Sequence, residues 1–542
     1  MAFNSEYKIS NDTKNVNSQC KIIHYGWKFT DLDSGTSNST LSGSNRLDIS
    51  SQILSASYTK NIGNPSGSFT IELGNSPGFG SGDWKDIMKR GDWVVIYMTQ
   101  DGDLTMNPVV GPPLSRAQRK QEAKKIRCIG KIDRVAPKIS ITDKGAFEIR
   151  YFVYGRDFGA IYEDSSIWHN LFQYDKILLE TIKTTKLNIT GRVTIDEAIK
   201  LIHNLFFYPL NEPGTKGKVN DEKSLVSTAL QFLLPKELVS DVGISLLGIS
   251  GGDPYWGALP NTLNISKSYA NVSISDPTSY LSGNPWEQLK QLSVPEFHEL
   301  FCETTDDGIP TLVFRPIPWA INKSGYRTIG SFIKFYKNVD LVTVPAIDVI
   351  DGDVSEDEHN RYNSFLVTPS TSLINANDNI SWLKGTRFPY HIQDSIKRHG
   401  FRPMHVTVDT LIKNESLADG EFNRSIGLEF NELLVDYWMH AVYSESGSVN
   451  KIGSNDIKIG KCLKFSDDTP YLNGKRYYIE GYTDTFQVDP EKGFGKWTQD
   501  VILTRGFEEQ DLQSGGPFTD RDVVFNQQGE YTSSNDSSSG GN

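Results

Sequence analysis

At 542 residues the chain exceeds what one hydrophobic core serves, and length alone sets a prior of about three to four domains. It carries 55 Lys plus Arg against 67 Asp plus Glu, and the net charge of −12 is spread along its length, which argues against a dedicated nucleic-acid binder with its basic stripe. No apolar run approaches the ~20 residues of a membrane-spanning helix, and the polar start MAFNSEYKISNDTKN is not a secretory signal.

Residues 1–18 read as a flexible arm. From Cys20 to Gly159 the pattern is almost all β, with candidate strands Ile22 to Phe29 and Ile49 to Tyr58 around a Ser/Gly/Asn-rich loop. Ser68 to Leu73 alternates, which puts Phe69, Ile71 and Leu73 on one face. A glycine-rich loop, Gly74 to Gly82, leads to a short helix at Trp84 to Met88, and Trp93 to Met98 is a strand apolar on both faces. The loop 99–125 carries a basic run of Arg116, Arg119, Lys120, Lys124 and Lys125. Ile126 to Val135 and Phe147 to Tyr154 then pair as a long hairpin. Residues 161–283 change to a helical and loop insertion, with amphipathic helices at Thr194 to Phe207 and Ser224 to Leu234.

Asn284 and Pro285 suit the N-cap and first position of a helix carrying Trp286, Leu289 and Leu292. A hairpin follows: Phe297 to Glu303, a turn at Asp306, Asp307 and Gly308, and Thr311 to Arg315. The ending Arg315-Pro316-Ile317-Pro318-Trp319 cannot continue a central strand, because proline has no N–H to donate. Further on come an acidic turn holding Asp348, Asp351, Asp353 and Glu356, and a strand at Ser364 to Val367. The stretch 371–455 reads as a second α/β insertion. It has a helix at Ile392 to His399 closed by Gly400, and a long helix burying Phe430, Leu434 and Trp438. Strands return at Ile457 to Phe465, Lys475 to Thr485 and Lys496 to Thr504, with Asn473-Gly474 as a type I′ hairpin signal. Residues 513–542 are a Gly/Ser/Asn-rich tail with little structure of its own.

The helix, hairpin and RP-x-P-aromatic ending at 284–319 resemble the baseplate hub proteins of tailed phages and related contractile injection machines. The series G-S-F-T-I-E-L-G-N, G-D-W-V-V-I-Y-M, I-G-K-I-D-R-V and V-Y-G-R-D-F-G is similar to the first tube domain of that family, and N-R-Y-N-S-F-L-V and G-F-R-P match later parts. The resemblance implies an α+β, mainly β fold with two tail-tube-like β-barrel domains carrying helical and loop insertions. The first barrel would span 19–160. The second would begin with the αββ unit at 284–370 and end with 456–512, the two separated by the insertion 371–455. Ile129 to Phe158 and Ile479 to Phe507 are both long hairpins ending in a Gly/Arg/Phe cluster, as either a duplication or chance similarity of two hairpins would give.

Chemistry is sparse. HExxH, Walker A and G-x-S-x-G are absent, and Gly74 to Gly82 lacks the spacing of a phosphate cradle. His298-Glu299 reads as a capped or solvated pair rather than a metal site, and the four acids at 348–356 do not follow a calcium loop. Trp27, Trp84, Trp93, Trp286, Trp319 and Trp438 read mostly as core, with a carbohydrate platform as the other use. Cys20, Cys128, Cys302 and Cys462 are far apart and read as buried free thiols in a reducing compartment.

The resemblance therefore implies a structural protein with no enzymatic activity, no catalytic, cofactor-binding or metal residues and no cofactor. It would be a homotrimer forming a pseudo-sixfold ring that adapts a sixfold tail tube to a threefold central spike. Its partners would be the spike, tail-tube or tube-initiator ring proteins and the tape measure protein in the lumen. DNA would pass through without sequence-specific binding. The place would be the virion tail baseplate, assembled in the host cytoplasm, with the loop 99–125 and tail 513–542 facing partners. The hub of a bacterial contractile injection or type VI-like system is the near alternative. A tail-associated peptidoglycan hydrolase, expected to show paired carboxylates or a Cys/His pair, and a carbohydrate-binding receptor protein are the distant ones.

Overall fold

In the computed structural model the described residues are 18–27, 44–75, 83–100, 122–141, 145, 147–164, 238, 284–293, 298–304, 306, 308, 310–316, 339–356, 362–369, 390–391, 396–397, 399–408, 434, 438, 445–489, 495–508, 523–525 and 531–533. The basic run at 116–120, the helices expected at 194–207 and 224–234, Trp319 and the arm 1–17 lie outside them. Of the helix expected around Phe430 to Val442, only Leu434 and Trp438 are described, both helical.

The first part of the chain forms β1 (Gln19–Trp27), β2 (Ser44–Asp48), β3 (Ile53–Asn61), β4 (Ser68–Leu73), helix α1 (Trp84–Ile87), β5 (Trp93–Thr99), β6 (Ile126–Ile141), β7 (Phe147–Asp157) and helix α2 (Ala160–Asp164). Then come helix α3 (Pro285–Ser293), the hairpin β8 (His298–Thr304) and β9 (Pro310–Pro316), β10 (Leu341–Val344) and β11 (Val349–Glu356). β12 (Ser364–Pro369), β13 (Tyr390–His391) and β14 (Pro403–Val408) follow, then β15 (Glu445–Ile452), β16 (Cys462–Phe465), β17 (Lys475–Val488) and β18 (Gly495–Glu508). Two short strands, β19 (Val523–Phe525) and β20 (Tyr531–Ser533), pair within the tail expected to lack structure.

Local sequence explains most of these elements. β4 alternates as expected, with Phe69, Ile71 and Leu73 buried. β5 is buried along its whole length, because it lies between β1 and β6 with its faces covered. Asp83 caps α1, its side chain accepting from the Lys85 amide while the Asp86 carboxylate accepts from the Asp83 amide. Asn284 caps α3 by accepting from the Trp286 amide at 2.8 Å. Gly400, at φ +77°, donates to the Ile396 carbonyl and ends its helix. Two expectations need correction. Asn473 is not at positive φ, so Asn473-Gly474 is not a type I′ turn; nine residues, 466–474, separate β16 from β17. The acidic turn at 348–356 is largely strand β11.

Thirteen strands form one sheet whose main path runs β11-β15-β18-β17-β3-β4-β7-β6-β5-β1-β2. It is mainly β, and among the described residues it is not a closed barrel; a single bridge, Ser18 to Gly495, links the start of β1 to the start of β18. β15, from the stretch 371–455, is integral to this sheet, whereas β12 leaves it to pair with β13 and β14.

The path contains the same four-strand unit twice. The order β11-β15-β18-β17 repeats as β3-β4-β7-β6, and the register irregularities coincide. In β3 an extra residue, Leu54, separates Ile53 (opposite Leu73) from Ser55 (opposite Glu72). In β11 the extra residue is Ile350, between Val349 (opposite Lys451) and Asp351 (opposite Asn450). In β6 it is Asp133, and in β17 it is Glu480, each just before the residue that pairs with Tyr154 or Ile502. Bulges bend a strand at a set place, so matched bulges mean matched curvature. One hydrophobic cluster runs through both units, with Ile71, Ile132 and Val153 from the first and Ile479, Val501 and Leu503 from the second.

Candidate functional site: the joint between the two units

The units meet where β17 pairs with β3, from Gly481 opposite Asn61 to Gln487 opposite Ser55. Apolar packing alone does not hold this joint. Arg127 reaches from β6 of the first unit into the second and is 1% exposed. Its Nε donates to Asp484 Oδ2 at 2.7 Å, and its Nη1 donates to the Ile457 carbonyl at 3.0 Å. Asp484 is fully buried, and its other oxygen accepts from Trp497 Nε1 at 3.0 Å and Gln499 Nε2 at 2.7 Å. The Arg127 guanidinium also lies 4.5 Å from the centroid of Tyr482. Burial works against the arginine's charge, yet Asp484 offsets it and holds the group above its ordinary range.

On the first unit's side of the joint, Asp157 collects a second set. Tyr58 Oη donates to its Oδ2 at 2.7 Å, Lys60 Nζ donates to the same oxygen at 2.5 Å, and the Gly159 amide donates to Oδ1 at 2.9 Å. Tyr58 and Tyr482 then meet edge to face across the joint, with centroids 6.0 Å apart. Lys451 of β15 donates to the Ile452 carbonyl and to Gln499 Oε1, and burial pushes its ammonium down to about 8 despite the pull of Asp348 and Asp484.

The β8–β9 hairpin is a third body fastened to this pair. Arg315 Nε donates to Glu299 Oε2 at 2.8 Å, and its Nη2 donates to the Gly460 carbonyl at 2.6 Å and to Tyr478 Oη at 2.9 Å. Tyr478 Oη in turn donates to Glu299 Oε1 at 2.6 Å. Glu303 accepts from the Ile459 amide, and Lys458 Nζ donates to the Thr304 carbonyl and pairs with Asp306 at 3.1 Å. Arg505, held at φ +56° where β18 bulges, lies 5.5 Å from the Tyr478 ring. Gly308, at φ +74°, brings the hairpin turn against Ala123 and Ile126 of the first unit.

Most of these groups are paired in ion pairs and hydrogen bonds inside a packed joint, although Arg127 Nη2 is buried without a hydrogen-bond partner among the described residues. The singled-out histidine, His298, is buried and stacks on Phe314 with centroids 5.0 Å apart, while its neighbour Glu299 serves the arginine clamp. Among the described residues no group of three or more His, Cys, Asp or Glu side chains is placed to hold a metal. Asp351 and Asp353 are exposed on β11, an edge strand, and Asp348 ends the short helical turn before it. Trp84 and Trp93 are fully buried and Trp286 nearly so. The four cysteines are free and buried. No described helix is long and apolar enough to cross a membrane.

Sequence reasoning missed Arg127, Asp157, Glu303, Arg315 and Asp484 as a set. Little local marks them, since most of their partners lie far away along the chain; Arg315 with Glu299, opposite each other in one hairpin, is the exception. The available signal was charge at positions of otherwise apolar alternation: Arg127 beside Cys128, and Asp484 between Tyr482 and Phe486.

No protein-family model matches the chain, and no curated protein matches it. Among solved structures it is similar to a tail protein from Neisseria meningitidis MC58, at 11% identity and a TM-score of 0.39, covering 90% of this chain and 97% of that one. It is also similar to the 43 kDa tail protein of prophage MuSo2 from Shewanella oneidensis, at 12% identity and a TM-score of 0.40, covering 90% and 98%. A third likeness is to the Francisella PdpA–VgrG complex, at 10% identity and a TM-score of 0.37, covering 91% of this chain and 58% of that one.

Proposed function

We propose that the chain is a non-enzymatic structural protein of a phage tail, the baseplate hub, and that it works as a homotrimer in the virion. The observation that carries this reading is the duplicated four-strand unit with its matched bulges, joined inside one chain by β17 and β3. A chain with two like units turns threefold symmetry into six near-equivalent positions, which is what an adaptor between a sixfold tube and a threefold spike requires. The rigidity of the joint supports the same reading. The buried pair of Arg127 and Asp484 favours one geometry between the units, where a purely apolar seam would tolerate sliding, and Lys60 with Asp157 ties β3 to β7 beside it. The partners on this reading are the central spike, the tube or tube-initiator ring and the tape measure protein, with DNA passing through the ring without sequence-specific contact.

Native mass spectrometry of the full chain, alone and mixed with a candidate trimeric spike protein, tests the proposal. A trimer that appears as a ring with a central channel in electron micrographs supports it. A chain that stays monomeric in both mixtures, or one that clears a suspension of purified cell wall, overturns it.

A further inference from the structure

The two units are joined by a specific pair of strand edges, and the same two edges are left over at the outside. Within the chain, the bulged strand of the long hairpin in the second unit, β17, pairs with the bulged first strand of the first unit, β3. Their counterparts are β6 and β11. β5 covers β6 only as far as Lys131, and among the described residues no strand pairs with the outer edge of β6 from Asp133 to Ile141. Among the described residues β11 pairs with β15 alone. A row of unpaired N–H and C=O groups on each is a template for another strand.

The side chains carry the same message. In β17, Phe486 stands opposite Ala56 of β3 at the joint and is 5% exposed within the hydrophobic cluster. The residue at its place in β6 is Ile139, which is 65% exposed, and Ile141 and Phe147 beyond it are 67% and 77% exposed. On the other edge, Tyr58 of β3 is buried, while its counterpart Val354 of β11 is only half-buried and the bulge residue Ile350 is 50% exposed. Apolar groups buried at the internal joint in one unit are uncovered in the other.

We infer that the outer edge of β6 in one copy pairs with the edge of β11 in a second copy of this chain, in the register of the internal β17–β3 joint. The matched bulges set that register. Arg134 of β6 corresponds to Gly481 of β17, the first residue after each bulge, so Lys138 corresponds to Thr485. Asp351 of β11 corresponds to Ser55 of β3, so Asp353 corresponds to Ser57. Thr485 faces Ser57 in the internal joint; Lys138 therefore faces Asp353 between copies, and Ile139 faces Gly352. The pairing places an exposed cation opposite an exposed carboxylate that has no ion pair among the described residues, and opposite charges directly across a ladder are favourable. Asp351 and Asp353 guard the edge against indiscriminate strand addition, and Lys138 supplies the answering charge. Pro137 has no N–H to give, so this ladder is at most one hydrogen bond short of its internal counterpart. The contact is heterologous, β6 to β11, and three copies close it into a ring that alternates internal and external joints.

This inference rests on the trimeric reading above and adds the edges and the register. The test is a disulfide trap in the full chain. Directly opposite residues of an antiparallel ladder lie ~4.5–5.5 Å apart at Cα, inside the window for a disulfide, and the four native cysteines are buried and do not compete. Lys138→Cys/Asp353→Cys is oxidised at the highest soluble concentration and run on a denaturing gel without reductant, beside each single variant and the out-of-register Lys138→Cys/Asp351→Cys. The expected result is a reductant-sensitive trimer from the in-register pair at least five times more abundant than from the out-of-register pair. Lys138→Asp is expected to raise the concentration needed for self-association at least tenfold, and Lys138→Asp/Asp353→Lys to restore it. A native trimer that yields no in-register cross-link overturns this joint and leaves the ring standing. A chain that neither cross-links nor associates overturns both.

Discussion

Asp484 is the buried carboxylate that pairs Arg127 across the joint, and its removal is the perturbation with the clearest expected size. In Asp484→Ala, Arg127 keeps its charge in a site 1% exposed and loses its 2.7 Å partner. Trp497 Nε1 loses its acceptor in the same stroke, and Gln499 Nε2 keeps only the Ser454 carbonyl. Breaking a buried ion pair from one side costs about 3–5 kcal/mol, and orphaned donors push toward the upper end of that range. With a urea slope of about 3 kcal/mol/M, the unfolding midpoint of the transition that melts this joint falls by roughly 1 to 1.7 M. The assay is urea unfolding followed by tryptophan fluorescence, for which Trp497 sits at the broken contact. The companion variant Arg127→Met/Asp484→Leu removes both charges and is expected to recover to within about 1 kcal/mol of the parent, because apolar replacement of a buried pair is often neutral. A shift below about 0.3 M for Asp484→Ala would refute the claim that this pair holds the two units together.

Gly159→Ala is expected to lower stability by about 2–3 kcal/mol or more, because an added Cβ would lie 1.8 Å from the Pro65 carbonyl oxygen, where only backbone can yield; thermal melts read it. Lys451 has a folded-state value of about 8, below its ordinary 10.5, so the folded chain binds fewer protons than the unfolded one between those values. Stability should therefore rise with pH from about 8 to 10, with the lowered Lys458 acting in the same direction, and Lys451→Met should be more stable at pH 7 and show a flatter slope in urea titrations across that window. All four thiols are buried, and burial pushes Cys302 up to about 12. A thiol reagent at pH 8 should therefore label none of them in the native chain and all four in denaturant, as counted by intact mass.

Short-range signals in the chain were enough for several local elements. Alternation marked β4, a run apolar on both faces marked β5, Asn284-Pro285 marked the start of α3, and Gly400 marked a helix end. These depend on side-chain period and capping chemistry, which adjacent residues carry in full. The sequence also exposed the similarity of the hairpins around Ile129 and Ile479, but only as far as their shared Gly/Arg/Phe ending. The tertiary structure decided the rest. That β3 pairs with β17, hundreds of residues away, is a matter of which edges meet, and strand pairing leaves no mark within either strand. β15 looked like part of an insertion because Glu445 to Ile452 has few large apolar residues; its place is set by β11 and β18 on either side, with Gly447 packed so close to Asp353 that no side chain fits. The ion pair of Arg127 with Asp484 spans the same distance in sequence, and burying a charge makes sense only once its partner is known. The duplication became legible when the bulges at Leu54, Ile350, Asp133 and Glu480 fell at matching places, since a bulge is defined by the opposite strand and not by the residue that forms it.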